Sequence, residues 1–220
     1  MERKNPVLII AGPSGAGKTV VAKAIVDADP RFTFLRSTTT RAKRGDAHDD
    51  EYLYATEDEF LAAVARGEFV EHMNYGGCLY GTTKAEMNAA FDRGQIPLLV
   101  LDLCGVESLS RADGYADCSV YVYADLDTVE KRLYDRYLSG GESAGGEKAY
   151  NSRRARNISD FLSLPTYAEY FHAFLLNTDT ILDCRDRVMK IFADFCNGRE
   201  ADTAKNLSTA AALKSSAEQR

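Results

Sequence analysis

The chain has 220 residues, a formal net charge of −6 at pH 7, an apolar fraction of 45% and a charged fraction of 27%. This length suits one α/β domain with a small inserted subdomain and excludes two large independent domains. The acidic balance gives no general attraction to nucleic acid, and no apolar run approaches the roughly 20 residues that span a bilayer. We therefore expect no nucleic-acid or membrane partner, and any anion must be bound by a local cluster of donors.

The N-terminus and the cysteines bear on the compartment. Residues 1–6 run straight into a short apolar stretch and then glycines, without the longer apolar core of a secretory signal. The five cysteines are an odd number and contain no CxxC pair, which argues against a complete disulfide framework. We therefore expect a cytoplasmic protein with reduced cysteines, and the sequence leaves monomer and homodimer open.

Short apolar runs alternate with helical patterns along the chain. Residues 7–11 form a continuous apolar run that ends at Gly12, and helical spacing begins at Lys18. Further runs that fit buried strands follow at 97–101, 119–123 and 174–176. This alternation predicts an α/β fold with a doubly wound parallel sheet, in which ligands bind at the carboxyl ends of the strands.

Three stretches interrupt this alternation. Residues 34–82 are rich in Thr, Tyr and charge, with one helical piece at 57–66, and indicate an inserted substrate subdomain. The glycine-rich segment 139–146 is flanked by arginines and is typical of a mobile lid. The polar, Ala/Ser-rich end of the chain predicts a flexible tail or a lone frayed helix. The predicted units are a core over 1–35 and 95–197, an insert over about 36–94, a lid over about 137–152 and a flexible tail over 198–220.

A phosphate-binding loop follows the first predicted strand. Residues 12–19, GPSGAGKT, match GxxxxGK(S/T) in full between a predicted strand and a predicted helix. Glycines let successive backbone N–H groups point at phosphate oxygens, while Lys18 reaches the β- and γ-phosphates and the Thr19 hydroxyl joins a Mg²⁺ shell. The predicted nucleotide-binding residues are Gly12, Pro13, Ser14, Gly15, Ala16, Gly17, Lys18, Thr19 and Val20.

A second cluster of hydroxyls and cations lies at residues 37–46, STTTRAKRGD, in an otherwise acidic chain. Guanidinium groups and hydroxyls at this spacing could bind a second phosphate. Such a run taken alone is more often a solvated surface loop, so its significance depends on what accompanies it.

These motifs and several later ones together resemble the guanylate kinase family. The motifs, in the family's order, are GPSGAGKT, STTTRAKRGD followed by Glu51-Tyr52, Phe69-Val70-Glu71, Tyr80-Gly81-Thr82, Leu101-Asp102 with Gly105-Val106, Lys131-Arg132-Leu133 with Arg136, and Tyr167-Ala168-Glu169-Tyr170 leading to Asn177. The resemblance covers residues 5–197. It implies a P-loop kinase fold with a GMP-binding insert and a lid, and an enzyme that uses ATP with Mg²⁺ to phosphorylate GMP or dGMP.

The resemblance also assigns the acceptor nucleotide to particular residues. It places the GMP phosphate on Ser37, Arg41, Arg44, Tyr52 and Tyr80, and the guanine base on Glu71, Thr82 and Asp102. The base assignment agrees with hydrogen-bond chemistry, because guanine presents N1–H and an exocyclic amine as adjacent donors, and ionised carboxylates only accept. Adenine cannot satisfy those acceptors.

Catalytic cations are expected around the lid. Arg132 and Arg136 lie four residues apart and share one helix face, and the family's lid arginines close over the phosphates of ATP. A further arginine after the lid contacts both nucleotides in the family, and here the sequence leaves Arg153 and Arg156 open. The residues that the resemblance makes catalytic are Lys18, Arg41, Arg132, Arg136 and one of Arg153 and Arg156, with Asn177 as a support.

The chain also departs from the family pattern. Val100 stands where many members have an aspartate, which puts a direct carboxylate contribution to the metal in doubt. Two other functions remain open at this stage: a related P-loop kinase with a phosphorylated sugar as acceptor, and a noncatalytic guanylate-kinase-like binding module. Glu71 and Asp102 argue against the first, and the intact Lys18 and Thr19 argue against the second.

Overall fold

The computed structural model describes residues 5–43, 49, 52–139, 146–177 and 180–220. Its strands are β1 (Pro6–Ala11), β2 (Phe32–Phe34), β3 (Ser37–Thr39), β4 (Tyr52–Tyr54), β5 (Phe69–Tyr75), β6 (Cys78–Thr83), β7 (Ile96–Val100), β8 (Ala116–Tyr123) and β9 (Ala173–Leu176). Its helices are α1 (Lys18–Ala28), α2 (Glu57–Ala65), α3 (Lys84–Asp92), α4 (Leu103–Ser110), α5 (Leu126–Tyr137), α6 (Gly146–Tyr167), α7 (Ile181–Cys196) and α8 (Thr203–Ala217), with a 3₁₀ turn at Ala168–Tyr170. Among these residues every helix is too short or too polar to cross a membrane.

The main sheet has the strand order β2-β7-β1-β8-β9, and all neighbouring strands run parallel. Its central strand β1 is buried on both faces. Leu8 and Ile10 pack with α1 and α7, whereas Val7 and Ile9 pack with α4 and α6 on the other side. A strand without a solvated face reads as a continuous apolar run, which is why the sequence revealed it. The predicted doubly wound parallel fold is confirmed.

The inserted segment forms a second sheet with the order β4-β3-β6-β5. Strands β3 and β4 are parallel, and β6 is antiparallel to both β3 and β5. Gly81 of β6 has no room for a side chain, because a Cβ there would lie 2.7 Å from the Glu71 carbonyl oxygen and 2.6 Å from the Phe69 ring. The Phe69 ring in turn stacks on Phe60 of α2 at 4.4 Å. This packing fixes the strand that carries Glu71.

The C-terminal segment differs from the flexible tail predicted for 198–220. Residues 203–217 form α8, which packs against α6 and the 3₁₀ turn. Its inner face is formed by Asn206, Ala210 and Ala217, which are at most 3% exposed, and the Asn206 amide donates to the Phe171 carbonyl oxygen at 2.6 Å. This packing could not be predicted from the sequence, because the fully buried residues of α8 are small or polar and do not produce a recognisable apolar period.

The predicted lid falls largely at a junction of helices. Helix α5 ends at Tyr137, and the last residues of the predicted lid, 146–152, are the first turns of α6. Residues 140–145 lie outside the part of the chain that the structure describes. The lid itself therefore stays a prediction.

The contact between α8 and the core can be tested by Asn206→Ala. The substitution leaves the buried Phe171 carbonyl without its donor, so we expect a loss of about 1–3 kcal/mol in the free energy of unfolding. Urea unfolding of both proteins measures this loss. The exposed neighbour Ser208→Ala is the matched control, and equal stability of the two variants would show that α8 does not pack as described.

Candidate active site

A cavity of about 540 Å³ lies between the carboxyl ends of the main-sheet strands and the inserted sheet. The glycine loop forms one side of it and the inserted strands form another. Predicted site residues that line it are Gly12, Ser14, Lys18, Thr19, Val20, Ser37, Arg41, Tyr52, Glu71, Tyr80, Asp102, Arg136, Arg153 and Arg156. Thr82 lines a smaller cavity that shares Thr19, Ser37 and Tyr52 with the large one. The two predicted anion-binding clusters thus face one common space.

The glycine loop is pressed against β8 and carries a desolvated lysine. At Gly12, with φ of 145°, a Cβ would lie 1.9 Å from the Val122 carbonyl oxygen, so only glycine fits. The Lys18 ammonium donates to the Pro13 carbonyl at 2.9 Å. Burial, reinforced by the nearby Arg153 charge, lowers the pKa of Lys18 to about 8, although Asp160 and Asp102 act in the opposite direction. Negative phosphate oxygens placed here would restore the stability of the charged lysine.

Three side chains from distant parts of the sequence hold this loop. The Asn157 amide of α6 accepts from the Ser14 N–H at 2.8 Å and donates to the Ser14 carbonyl at 2.9 Å. Asn177, which follows β9, donates to the Ala16 carbonyl at 2.7 Å, and Arg132 of α5 donates to the Gly15 carbonyl at 3.1 Å. Asn157 and Asn177 are at most 3% exposed. Arg132 was expected over the phosphates, but its contact here is with the loop backbone.

Two carboxylates converge on the start of α4. Asp102 caps this helix, with Oδ1 accepting from the Gly105 N–H at 2.8 Å. Glu71 is 4% exposed and hydrogen-bonds with Thr82. A Cβ on Gly105 would lie 3.3 Å from Asp102 Oδ1 and 3.5 Å from Glu71 Oε2, so the glycine lets both acids approach the same point. Burial raises the pKa of Glu71 to about 7; the Thr82 hydrogen bonds oppose this rise and the Asp102 charge adds to it.

The cationic cluster of the insert is built around Arg41. Its guanidinium donates to the Tyr54 hydroxyl at 3.0 Å and to Asp49 Oδ1 at 3.1 Å, and it lies 5.0 Å from the Tyr52 ring centroid. Tyr80 packs beside Tyr52, with 6.0 Å between the ring centroids. Tyr54 and Asp49 were not predicted from the sequence. Arg44, which was predicted, lies outside the described residues.

Both arginines that the sequence left open after the lid reach the cavity, and they do so differently. Arg153 donates to the Ser14 hydroxyl of the glycine loop at 3.4 Å. Arg156 donates through Nε to Asp160 and through Nη2 to Asp102, each at 2.9 Å. Arg153 therefore belongs to the side of the glycine loop, and Arg156 lies beside Asp102, at the acidic pair that Asp102 forms with Glu71 of the insert.

Comparison with known proteins agrees with this geometry. The sequence profile of the family described as Guanylate kinase matches residues 4–185. The chain belongs to the guanylate kinase family. Curated guanylate kinases from Cereibacter sphaeroides and Ruegeria pomeroyi are each 32% identical to it, over 87% and 86% of this chain and 86% and 84% of their own lengths. The crystal structure of guanylate kinase from Anaplasma phagocytophilum shares the fold, with a TM-score of 0.63, 21% identity, and coverage of 88% of this chain and 87% of that one.

Membership in the guanylate kinase family confirms the resemblance found in the sequence, together with its enzyme class, an ATP-dependent nucleoside monophosphate kinase. Asn157 and Asp160 were nevertheless not predicted as site residues from the sequence. Their signal was present, because each lies four residues after an arginine of interest, Arg153 and Arg156, and so shares its face of a helix. It was not used because no motif marks either residue.

The buried acid Glu71 predicts a pH-dependent stability difference. Its folded pKa of about 7 lies above the ordinary 4.5, so its contribution to stability is fully present below pH 4.5 and is lost as pH rises through 7. The glutamine of the Glu71→Gln variant cannot ionise. We therefore expect the free energy of unfolding of this variant to rise relative to that of the parent protein by about 3 kcal/mol between pH 4.5 and pH 7, and to show no further relative rise at higher pH.

Urea unfolding at several pH values measures this difference. Glu68→Gln is the control, because Arg66 lowers the pKa of the exposed Glu68. Replacing Glu68 should therefore change the pH dependence of the free energy of unfolding only slightly and in the opposite direction. A difference between Glu71→Gln and the parent that does not change with pH would contradict the buried environment described for Glu71.

Proposed function

We propose that this chain transfers the γ-phosphoryl group of ATP to GMP or dGMP, giving ADP and GDP. The observation that carries the proposal is the single cavity that joins the glycine loop of Lys18 to the acidic pair Glu71 and Asp102. Phosphoryl transfer needs two phosphates held in line with their charge neutralised, and a shared cavity with a cation-rich middle supplies both conditions.

On the donor side, backbone N–H groups and cationic side chains bind the phosphates of ATP. The loop N–H groups and the N-terminus of α1 face the phosphates, and Lys18 and Arg153 neutralise the charge on the transferred group. Arg136 of α5 adds a further cation to the same cavity wall. These groups act by position and charge, and no covalent intermediate with the protein is required.

The acceptor side selects the base and anchors its phosphate. Ser37, Arg41 and the hydroxyls of Tyr52 and Tyr80 supply donors for the GMP phosphate. Glu71 and Asp102 accept from the N1–H and amine of guanine, with Thr82 beside them. An adenine in this position would leave a buried carboxylate unpaired, at a cost of about 1–3 kcal/mol, which corresponds to roughly 5- to 150-fold discrimination.

The residues present fit a Mg²⁺ ion that is held mainly by phosphates and water. The Thr19 hydroxyl lines the cavity next to Lys18, and Val100, not a carboxylate, occupies the nearby wall. No group of three or more His, Cys, Asp or Glu that could hold a metal occurs within the described ranges. Mg²⁺ keeps several waters and binds substrate phosphates, so Thr19 suffices as its direct protein ligand. When bound, the ion would neutralise charge on the β- and γ-phosphates. Cytoplasmic location and monomer or homodimer state stay predictions of the sequence.

A panel of acceptors tests the proposal. With ATP and Mg²⁺, we expect kcat/KM for GMP to exceed the values for AMP and UMP by at least about tenfold, because only guanine satisfies both buried carboxylates. A coupled assay of ADP formation measures this ratio, with a ribose bisphosphate as a fourth acceptor. Equal or faster turnover of a non-guanine acceptor would refute the guanine site.

Lys18→Ala separates binding from transfer. Lys18 contacts the donor phosphates in this proposal and none of the acceptor-binding groups, so we expect turnover to fall by about a hundredfold or more while the Kd for GMP stays within about threefold. Steady-state kinetics and calorimetric GMP titration provide the two measurements. Exposed Lys84→Ala is the control, and undiminished turnover by Lys18→Ala would remove Lys18 from the reaction.

A further inference from the structure

Arg156 is held between two carboxylates from different parts of the fold. Asp160 lies one helical turn after Arg156 on α6. Asp102 lies between β7 and α4, where it caps the N-terminus of α4. The carboxylates accept from different nitrogens of the guanidinium, Nε and Nη2, at 2.9 Å each. The side chains of Asp160 and Asp102 are only 18% and 19% exposed. This arrangement is unlike an exposed helical ion pair, in which long side chains sample many positions.

Asp102 accepts hydrogen bonds from more than one group. Its Oδ1 already caps α4 and its Oδ2 accepts from Arg156, while the proposed function also needs it as an acceptor for guanine. A carboxylate has about four lone-pair positions, so it can accept all of these bonds. If Arg156 had no second carboxylate partner, it would bind Asp102 more strongly and would compete with the guanine base for the Asp102 oxygens.

We propose that Asp160 is a positioning residue, which holds Arg156 at the boundary of the two nucleotide sites so that Asp102 can accept hydrogen bonds from the guanine base. This inference rests on the proposed function. Asp160 lines the active-site cavity together with Arg156 and Asp102.

The charges around Asp160 support this role. Lys18, Arg153 and Arg156 bring three cations to the cavity, and Asp102 and Asp160 are the acids that act on Lys18 from within it. Burial raises the pKa of Asp160, whereas Arg156 and Lys18 lower it and Asp102 raises it further. Asp160 acts on Lys18 by its charge, whereas it is hydrogen-bonded to Arg156 next to the acceptor site, so its main effect is expected on the acceptor side.

The position of Asp160 is fixed by the same helix. Asn157, three residues earlier on α6, is hydrogen-bonded to both backbone polar groups of Ser14 in the glycine loop. A side chain one turn along that helix is consequently placed relative to the loop, so Asp160 can transmit the loop position to Arg156.

The test is Asp160→Asn in the full chain, which keeps the volume of the side chain and removes its charge. We expect the KM for GMP to rise and kcat to fall, each by about tenfold, because a charge-assisted hydrogen bond to Arg156 is weakened and Asp102 is drawn to the arginine. The KM for ATP should stay within about twofold of the parent value. Glu218→Gln, which alters another i,i+4 pair on a helix, is the matched control and should leave all three constants unchanged.

A double-mutant cycle with Arg156→Gln identifies the partner. If Asp160 acts through Arg156, adding Asp160→Asn to Arg156→Gln should cause less than a further twofold loss. Asp160→Glu should recover at least part of the GMP affinity, and calorimetric GMP titration without ATP measures that recovery independently of turnover. Thermal unfolding of each variant monitors the fold, and Asp160→Ser with its own cycle replaces Asp160→Asn if the latter does not fold.

The outcomes separate the inference from the proposed function. A parent protein that does not phosphorylate GMP overturns the proposed function and the inference with it. An active parent protein whose Asp160→Asn variant keeps the same KM for GMP and kcat overturns the inference alone. A variant that loses ATP and GMP affinity equally, or additive losses in the cycle, also overturns it, because either result would indicate general damage to the site.

Discussion

The hydrogen bonds between the Asn157 side chain and the Ser14 backbone are the constraint on which the active site depends. They join the middle of α6 to the glycine loop with a buried amide, whose loss would leave two backbone groups of the loop unsatisfied. Arg153, Arg156 and Asp160 all lie within one turn of Asn157 and face the cavity. Their distances to the loop are therefore set together, and a shift of the helix would move them as a group. Such collective placement suits a reaction that depends on position more than on new covalent bonds.

The site keeps charged groups under conditions that disfavour their charge. Burial lowers the pKa of Lys18 to about 8 and raises that of Glu71 to about 7, so in each case the neutral form is favoured relative to water. The compensating groups belong to the proposed substrates: phosphate oxygens for the lysine, and the guanine N–H donors for the carboxylate. Stability is thus lower in the empty site than apolar side chains of similar volume would give, and nucleotide binding recovers it. Recognition of both substrates follows from the same principle.

The C-terminal segment supports this arrangement. Helix α8 lies beyond the segment that the family profile matches, 4–185, and packs against α6. Its buried Asn206 also binds the carbonyl of Phe171, which lies just before β9 and Asn177. Arg220, the last residue, pairs with Asp127 at the start of α5, the helix that carries Arg132 and Arg136. The C-terminal segment therefore contacts the helices that present the cavity arginines.

The sequence by itself determined the parallel α/β core, the glycine loop, the insert and the family, because continuous apolar runs and a motif of fixed spacing are local properties of the chain. It also named most residues that line the cavity, through their order along the chain. Only the tertiary structure separated Arg153 from Arg156, revealed Asn157 and Asp160, and showed that residues 203–217 are a packed helix. The contacts of the two arginines and of Asn157 join residues that are 54 to 143 positions apart in the sequence. The packing of residues 203–217 depends on a buried stripe of small and polar residues. Neither produces a motif that identifies the role of a residue, since that role is decided by the groups that the fold brings to it.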